Sequence, residues 1–329
     1  MKKLINDVDN LLAESLDGFA TAHADIVTLG AERQFVCRRD VKPGKVALIS
    51  GGGSGHEPLH AGFVGHGMLD AACPGQVFTS PTPNQMLAAA QAVDGGAGTL
   101  FIVKNYSGDM MNFQMAAEML DSDNATVIVN DDVAVENSTY TTGRRGVAGT
   151  LIVEKMLGAA AERGDALAAL KLLGDAVNKA TASMGVALTS CTVPAAGKPT
   201  FQIGPDEMEM GVGIHGEPGR RRVKLARADE IAAELGGAIL KDLSLRRGQE
   251  VILLVNGFGG TPLLELYLMV NAAHKVLRGA GVSVVRHLTG SCVTSLEMAG
   301  CSITVSAADA PALALWDAPV HTAALRWGM

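Results

Sequence analysis

The sequence predicts an α/β fold with two domains, each built on a central mixed or parallel sheet that is flanked by helices. Short apolar or β-branched runs alternate with helical patterns along the chain, an order that is typical of α/β proteins. The length of 329 residues is sufficient for two domains of ordinary size. Two segments, 42–59 and 246–266, share a basic-glycine lead, an apolar run, a glycine-rich loop and a proline. This similarity indicates either two related halves or a chance match between βα units.

Seven apolar runs predict strands. They cover residues 45–50, 98–103, 125–130, 185–190, 251–255, 282–286 and 302–306. A helical pattern ends shortly before the fourth run, and we place a domain boundary there. We therefore expect a first domain over residues 1–182 and a second over 183–329, with the C-terminal residues packing back on the first domain.

Local signals mark the start of one helix and the end of another. Thr82 can cap a helix, Pro83 suits its first position, and Gln85 completes a capping box. A second helix is predicted over residues 150–162. Gly164 is suited to end it, because glycine readily adopts the left-handed backbone conformation found at many helix ends.

Charge and composition exclude several classes of function. The net charge is −7 and the isoelectric point is near 5.6, which argues against nucleic acid as a partner. The five cysteines form no CxxC pair and no metal-binding spacing, as expected in a reducing cytoplasm. Polar residues interrupt the N-terminal apolar segment, and no apolar run reaches the length of a membrane span. We therefore expect a cytoplasmic protein without an export signal, a membrane span or a metal site of its own.

The stretch KVALISGGGSGHEPLH, residues 45–60, is an apolar strand that leads into a glycine-rich loop. Such loops often hold phosphates, but the dinucleotide fingerprint GxGxxG fails because its third glycine is replaced by His56 or Pro58, depending on the starting glycine. The P-loop pattern fails as well, since no lysine follows Gly55. A nucleotide site is therefore not expected. The loop amides can approach a small polar ligand beside His56, or His56 is an incidental residue of a surface loop.

Lys104 and Asp109 follow the apolar run at 98–103 and occupy the same kind of position as the glycine-rich loop. Asp109 could simply cap the following helix, and Lys104 could be a solvated loop charge. In open α/β sheets, however, ligands bind beyond the carboxyl ends of the strands. A lysine, an aspartate and a histidine at neighbouring strand ends would offer a donor, an acceptor and a base to a polyhydroxy ligand.

Alternating apolar residues over 208–214 predict a strand. The next residue, His215, would lie on the face otherwise occupied by glycines, so that no neighbour from its own strand crowds the ring. A lone histidine is more often a hydrogen-bonded structural residue, and the pattern does not decide between this role and a chemical one. Asp131 and Asp132 are expected to cap and solvate a turn rather than to bind a metal ion. The remaining histidines are expected at the surface or in packing: His23, His60, His66, His274, His287 and His321.

Eight motifs follow one another along the chain: GGGSGHEP, CPGQVFTSPTPNQ, KNYSGD, DDVAV, GRRGVAGT, CTVPAAGKP, MEMGVGIHGEPG and ALWDAPVHTAALRWG. Together they resemble the substrate-binding K subunit family of dihydroxyacetone kinases nearly from end to end. The resemblance implies a two-domain α/β fold, commonly a homodimer, that holds dihydroxyacetone covalently and acts in glycerol metabolism. One departure is the short stretch at 220–249, where some family members carry a longer segment that could affect the dimer or a partner surface.

The resemblance also implies a role for each candidate residue. His215, in the GIHGEPG segment, matches the histidine that adds to the ketone carbonyl and forms a hemiaminal. His56 resembles the family's general base, and Asp109 resembles its partner acid. The residues that match the family's substrate contacts are Gly53, Ser54, Gly55, His56, Lys104 and Asp109, and Ser80 is expected to line the same pocket.

The resemblance places the phosphoryl donor on another polypeptide. Phosphoryl transfer needs a site for Mg²⁺ and polyphosphate, and the glycine-rich loop has no Walker lysine. The family uses a fused nucleotide-binding L domain or a separate L subunit, and a chain that ends at Met329 is expected to have no room for the fused domain. We therefore expect no cofactor on this chain, and ADP or ATP with Mg²⁺ on an L subunit. That subunit is recharged from phosphoenolpyruvate by a phosphotransferase protein, or it uses ATP.

Three alternatives to a dihydroxyacetone kinase subunit differ in what they require. A kinase subunit for a four-carbon ketose such as erythrulose would use the same anchor in a wider pocket. A non-catalytic sensor of dihydroxyacetone that acts on a transcription regulator would need His215 but no base, so the presence of His56 and Asp109 favours an enzyme. A nicotinamide-dependent oxidoreductase is disfavoured by the incomplete glycine fingerprint.

Overall fold

The computed structural model describes residues 2–135, 137–138 and 141–329. Within these residues the α-helices are α1 (Leu11–Ala22), α2 (Pro83–Ala92), α3 (Ser107–Met119), α4 (Gly149–Arg163), α5 (Leu167–Lys179), α6 (Ala228–Leu243), α7 (Leu263–Gly279) and α8 (Ala310–Asp317). The strands are β1 (Val27–Leu29), β2 (Val36–Arg38), β3 (Ala47–Ser54), β4 (Gly65–His66), β5 (Ala71–Val77), β6 (Thr99–Lys104), β7 (Asn124–Val129), β8 (Asn137–Ser138), β9 (Thr141–Thr142), β10 (Thr181–Ala187), β11 (Glu207–Met210), β12 (Arg221–Lys224), β13 (Glu250–Gly257), β14 (Ser283–Gly290), β15 (Gly300–Ala307), β16 (Val320–Thr322) and β17 (Arg326–Trp327). None of these helices is long and apolar enough to cross a membrane.

β3 lies inside the first six-stranded sheet, whose order is β1-β2-β5-β3-β6-β7. It runs parallel to both neighbours, and β6 runs parallel to β7, so these strands end at the same edge of the sheet. β1 and β2 extend the other side with antiparallel pairing. The second six-stranded sheet has the order β12-β11-β10-β15-β13-β14, in which β13 and β14 are parallel and the other pairs are antiparallel. The predicted α/β fold with mixed and parallel sheets is therefore confirmed.

α4 packs against strands of both sheets and is buried over residues 149–161. Its apolar side chains belong to a core that also contains Leu48 of β3 and Leu254 of β13. The chain packs closely here because Gly158 lacks a side chain, and a Cβ at this position would collide with the backbone of Gly67. The helix thus holds together the two sheets whose loops meet at the site described below.

Local signals place several element ends correctly. The capping box of Thr82 and Gln85 forms at the start of α2, and α4 ends at Gly164, whose φ of 97° is left-handed. All seven predicted strands occur, although their ends shift. The run at 185–190 belongs to β10, which begins earlier, at Thr181, because its first residues pair with β15.

The predicted strand over 208–214 is wrong beyond Met210. β11 ends there, and Gly211, with a φ of 72°, turns the chain. His215 therefore lies in a loop rather than on the face of a strand. Val212 and Ile214 are buried although they lie in a loop. The alternation of apolar residues therefore continues beyond the end of the strand.

The C-terminal residues return to the first half of the chain. β16 pairs antiparallel with β4, with His321 opposite His66, and β17 pairs with β16. The indole nitrogen of Trp327 donates a hydrogen bond to the carbonyl oxygen of Ala318 at 3.1 Å. These contacts place the end of the chain beside the residues that follow β3.

Candidate active site

Glycines allow other segments to approach the carboxyl end of β3 closely. The strand runs through Ser54, so the first three glycines of the motif belong to the strand rather than to a loop. A Cβ at Gly53 would lie 2.5 Å from the amide nitrogen of Thr79, and one at Gly52 would collide with the ammonium group of Lys104. The glycine-rich segment therefore makes room for protein atoms at this edge of the sheet.

His56 is buried in the turn after β3. Its Nδ1 lies 2.8 Å from the carbonyl oxygen of Thr294, so Nδ1 carries the proton and donates it. Nε2 consequently holds a lone pair, and it has no hydrogen-bond partner among the residues that the structure describes. Burial, together with the positive charge of Lys104, lowers the pKa of His56 to about 3. The ring is thus neutral and keeps an acceptor nitrogen.

The ring of His215 stands edge-on to three aromatic rings. The centroid distances are 4.8 Å to His56, 4.3 Å to Tyr106 and 5.5 Å to Phe78. Burial, followed by the influence of His56 and Lys104, lowers the pKa of His215 well below its ordinary value. The structure thus brings the two predicted histidines together in the neutral form that a nucleophile or a base requires.

Lys104 and Asp109 form a buried ion pair next to the histidines. Nζ of Lys104 lies 3.6 Å from Oδ2 of Asp109 and donates a hydrogen bond to the carbonyl oxygen of Gly51 at 3.1 Å. Oδ1 of Asp109 accepts a hydrogen bond from the hydroxyl of Ser80. The alternative structural roles for the two residues are wrong. Lys104 is fully buried rather than solvated, and Asp109 lies inside the first turn of α3, where Tyr106 holds the cap position.

Two further buried side chains, His60 and Glu154, extend the hydrogen-bond network from Lys104. Its ammonium donates to Nε2 of His60 at 2.8 Å, and Nδ1 of His60 donates to Oε1 of Glu154 at 2.6 Å. Burial raises the pKa of Glu154 to about 8. The expectation of a surface or packing role for His60 is therefore incomplete, and no motif marks Glu154. The one available signal is the pair of charged residues, Glu154 and Lys155, inside an otherwise apolar helix.

A pocket of about 630 Å³ is lined by four of the eight predicted site residues. Its lining includes Gly53, Phe78, Ser80, Tyr106, Asp109 and His215. His56 and Lys104 are not part of this lining, but the ring of His56 lies against that of His215. Two predicted residues are engaged elsewhere: the Ser54 hydroxyl donates to the carbonyl oxygen of Gly75 at 2.7 Å, and the Gly55 amide donates to the carboxylate of Glu57 at 2.9 Å. The structure therefore does not bring the polar groups of Ser54 and Gly55 to the pocket.

Asp131 and Asp132 are buried, so the expected solvated turn is wrong. Asp131 accepts hydrogen bonds from the backbone amides of Val147 and Gly149, both at distances below 3 Å. Asp132 is paired with Arg145. Both carboxylates are thus engaged inside the protein. In the described part of the chain, no three His, Cys, Asp or Glu side chains are grouped so that they could hold a metal ion.

Known proteins resemble this chain over nearly its whole length. The model of the Dak1 domain matches residues 17–324. The "PTS-dependent dihydroxyacetone kinase 1, dihydroxyacetone-binding subunit DhaK" of Listeria innocua is 51% identical over 93% of this chain and 94% of its own. The "PEP-dependent dihydroxyacetone kinase, dihydroxyacetone-binding subunit DhaK" of Escherichia coli is 49% identical over 100% of both chains. A solved structure described as "Dihydroxyacetone kinase operon co-activator Dha-DhaQ" has a TM-score of 0.90 and 33% identity over 97% of this chain and 98% of its own. The chain therefore belongs to the Dak1 domain family.

Proposed function

We propose that this chain is the dihydroxyacetone-binding K subunit of a dihydroxyacetone kinase, which forms dihydroxyacetone phosphate. The presence of Asp109 and His215 in the lining of one pocket, with the ring of His56 against that of His215, is the observation that carries this proposal. A protein that only binds the ketone needs a group to capture it, whereas this site also holds a neutral histidine with an available nitrogen and a carboxylate. The 51% and 49% identity to DhaK subunits supports the same conclusion.

His215 is the proposed nucleophile. Dihydroxyacetone is so small that noncovalent contacts are limited to about 9 kcal/mol even at the best ligand efficiency, and glycerol offers the same terminal hydroxyls. Only the ketone can accept a covalent bond from an imidazole, so His215 would distinguish the two by a functional group. The nitrogen lone pair forms the bond to the carbonyl carbon, and the electron pair of the C=O π bond moves to oxygen. The oxygen takes up one proton and the ring releases one, which gives a neutral hemiaminal.

His56 is the proposed base for phosphoryl transfer. A substrate hydroxyl that attacks phosphorus must lose its proton as the new bond forms, and the unpartnered Nε2 of His56 would accept it. A pKa of about 3 makes this ring a weak base on its own. The negative charges of an approaching polyphosphate would stabilise the imidazolium and raise that pKa. Asp109, held by Ser80 and Lys104, is proposed to orient the hydroxyl.

The phosphoryl group is proposed to come from a nucleotide on a separate L subunit. The glycine-rich segment has no Walker lysine, and its glycines make room for protein atoms rather than for a phosphate. When bound to that partner, Mg²⁺ would neutralise charge on the transferred group. We further propose a homodimer in the cytoplasm, an L subunit that is recharged by a phosphoenolpyruvate-dependent phosphotransferase protein, and a place in glycerol metabolism.

The pocket is proposed to lie between two domains, 1–182 and 183–329. The last strand of the first sheet ends at Val129, and the second sheet begins with β10, whose first two residues, Thr181 and Ala182, lie just before the proposed boundary. The first domain supplies Asp109 and the second supplies His215. On this division neither domain carries a complete site.

Dihydroxyacetone labelled with ¹³C at its carbonyl tests the proposal. We expect a protein-bound tetrahedral carbon resonance in place of the ketone signal, and the mass of one adduct in native mass spectrometry. Mixing with a nucleotide-loaded L subunit is then expected to give dihydroxyacetone phosphate, and glycerol is expected to give neither signal. Absence of both the adduct and the product with any competent L subunit would contradict the proposal.

The same experiment separates two other functions. The similarity to a dihydroxyacetone kinase operon co-activator favours, as a second candidate, a dihydroxyacetone sensor without catalysis. Capture of the ketone without transfer from any L subunit would indicate that function. Faster turnover of erythrulose than of dihydroxyacetone would instead assign the chain to a four-carbon ketose.

A further inference from the structure

Arg145 is an enclosed cation, 1% exposed, that takes no part in the chemistry proposed above. Its guanidinium uses all three nitrogens. Nε donates to Oδ2 of Asp132 at 2.7 Å, and Nη1 donates to Oε1 of Glu217 at 2.8 Å. Nη2 donates to the carbonyl oxygen of Gly211 at 2.7 Å. Gly211 and Glu217 flank His215 in sequence, so one side chain holds both ends of the loop that carries this histidine.

The loop 211–217 depends on these hydrogen bonds because regular strand pairing stops before it; Gly211 keeps a backbone hydrogen bond from its amide to the carbonyl oxygen of Gly185 in β10 at 2.8 Å. The pairing of β11 with β12 stops just before the loop. Gly213 lies against the guanidinium, where a Cβ would be 2.8 Å from Nη1 of Arg145 and 2.5 Å from Oε1 of Glu217. The glycine therefore allows the loop to fold around the guanidinium, and Arg145 takes over the role of the missing strand pairing.

Arg145 is itself anchored through Asp132, which follows β7. The backbone amide of Asp132 donates to the carbonyl oxygen of Arg145 at 3.1 Å, and Oδ1 of Asp132 accepts from the amide of Ala134 at 2.9 Å. Asp132 also forms a β-bridge with Ser183 in β10. Arg145 thus connects the loop to a point where both sheets meet. Three of the sequence motifs, DDVAV, GRRGVAGT and MEMGVGIHGEPG, converge on this one guanidinium.

We propose that Arg145 is the positioning residue for His215, because it holds the loop at Gly211 and Glu217 and so sets the imidazole at its edge contact with His56. The inference rests on the proposed function, in which His215 captures the ketone. Positioning matters for such a step because a displacement of about 1 Å can cost about 10²-fold in rate. Arg145 also contributes positive charge: after burial, His56 and Lys104, it is a further cause of the low pKa of His215.

The charged and titratable groups around His215 come from several elements. They are His56 after β3, Lys104 at the end of β6, Tyr106 and Asp109 at the start of α3, and Arg145 and Glu217 at the loop itself. Replacing Arg145 by glutamine removes one cation and leaves the carboxylates of Asp132 and Glu217 without it, so the pKa of His215 should rise, while burial continues to hold it below its ordinary value. Replacement by lysine keeps the positive charge but loses the guanidinium geometry that donates to Asp132, Glu217 and Gly211 at the same time.

Arg145→Lys and Arg145→Gln are to be compared with Arg144→Gln, because Arg144 is the neighbouring arginine and pairs with Asp242 at the surface. The first measurement is the rate of capture of carbonyl-labelled dihydroxyacetone between about pH 5.5 and 8. Arg145→Lys is expected to lower the rate by roughly 10- to 100-fold and to keep the flat pH profile of the unmodified protein. Arg145→Gln is expected to lower the rate further than Arg145→Lys, with the larger loss at the lower pH, because a raised pKa of His215 leaves more of the ring protonated there. Arg144→Gln should match the unmodified protein.

The second measurement does not depend on the substrate. The ring-proton resonance of His215, assigned by its loss in His215→Ala, is expected to titrate at a higher pH in Arg145→Gln than in the unmodified protein. If Arg145→Gln does not fold, Glu217→Gln serves instead, because it keeps the acceptor oxygen but weakens one end of the loop. This variant is expected to slow capture severalfold with a flat pH profile.

Two outcomes have different consequences. Folded Arg145→Gln that captures dihydroxyacetone at the unmodified rate at every pH, with an unchanged His215 titration, would overturn the inference and leave the proposed function intact. Unmodified protein that captures no dihydroxyacetone would overturn the proposed function, and the titration of His215 alone would then decide whether Arg145 controls this ring.

Discussion

His215 contacts the rings of His56, Tyr106 and Phe78, and it supplies the proposed bond to the ketone. His215→Ala removes the nucleophile and leaves the hydroxyl contacts in place, so we expect it to abolish the tetrahedral adduct. Native mass spectrometry after incubation with dihydroxyacetone measures this loss, and thermal unfolding checks that the variant is folded. An undiminished adduct in the folded variant would show that another residue captures the ketone.

Nδ1 of His56 donates a hydrogen bond to the carbonyl oxygen of Thr294, which leaves Nε2 of the same ring as an acceptor. His56→Ala is expected to retain the adduct and to slow phosphoryl transfer by about 10²–10⁴-fold, the usual contribution of one general base. Adduct occupancy and the rate of dihydroxyacetone phosphate formation separate the two effects. His56→Gln is the matched variant, since it fills more of the space beside Phe78 but has no basic nitrogen. Unchanged transfer in either variant would refute the assignment of the base.

Glu154 is a carboxyl group that the fold favours in its protonated form. Burial raises its pKa to about 8, against about 4.3 in an unfolded chain. Between these values the native protein binds the proton more tightly than the unfolded chain does. The contribution of this group to stability is therefore largest below about pH 4, decreases as the pH rises toward about 8, and is lost above that. From pH ~6 to ~9 the free energy of unfolding should therefore fall by about 2–3 kcal/mol through this group.

Glu154→Gln is expected to lack this part of the pH dependence. The same substitution at Glu118, which is exposed on α3, is the control and should retain it. Denaturant unfolding of the three proteins at both pH values measures the difference. If Glu154→Gln and the unmodified protein lose equal stability, the buried carboxyl does not titrate in this range.

α6 contains two adjacent glycines with opposite surroundings. A Cβ at Gly237 would meet nothing within 4 Å, whereas one at Gly236 would lie 2.9 Å from Cγ1 of Val276 in α7. Alanine is more favourable than glycine inside a helix by about 0.5–1 kcal/mol, so Gly237→Ala should raise the free energy of unfolding by that amount. Gly236→Ala should gain less or destabilise the protein, because Val276 must move. Chemical denaturation compares the two, and a larger gain at Gly236 would contradict the packing of α6 on α7.

The pocket joins the two halves of the chain, because Asp109 lies in the first turn of α3, after β6 of the first sheet, and His215 follows β11 of the second. A ligand that bonds to one and is held by the other should stabilise the whole native state, by about 2.7 kcal/mol at a 100-fold excess over its dissociation constant. Dihydroxyacetone is therefore expected to raise Tm, and glycerol at the same concentration is not. The increase should be absent in His215→Ala. An equal increase with glycerol would mean that the carbonyl is not recognised.

A helix or strand is predictable from the sequence where the signal for it lies within a few neighbouring residues. The capping box at Thr82 and the left-handed Gly164 follow from local backbone chemistry, and apolar runs mark the seven strands. The end of β11 is not predictable in this way. Val212 and Ile214 remain buried after the strand stops, so the alternation continues although the strand pairing does not.

The candidates His56, Asp109 and His215 can be chosen from the linear chain because each lies in a motif next to an apolar run. The surroundings of these residues cannot be predicted from the linear chain, because their hydrogen-bond partners come from distant segments. Thr294, for example, is 238 positions from His56. The same holds for the buried groups behind the pocket, where His60 and Glu154 are 94 positions apart. Neighbouring residues therefore specify the α/β class, the family and the candidates for the reactive side chains. Folding alone selects which buried polar groups meet, because a group removed from water must find its hydrogen-bond partner wherever the packed chain supplies one.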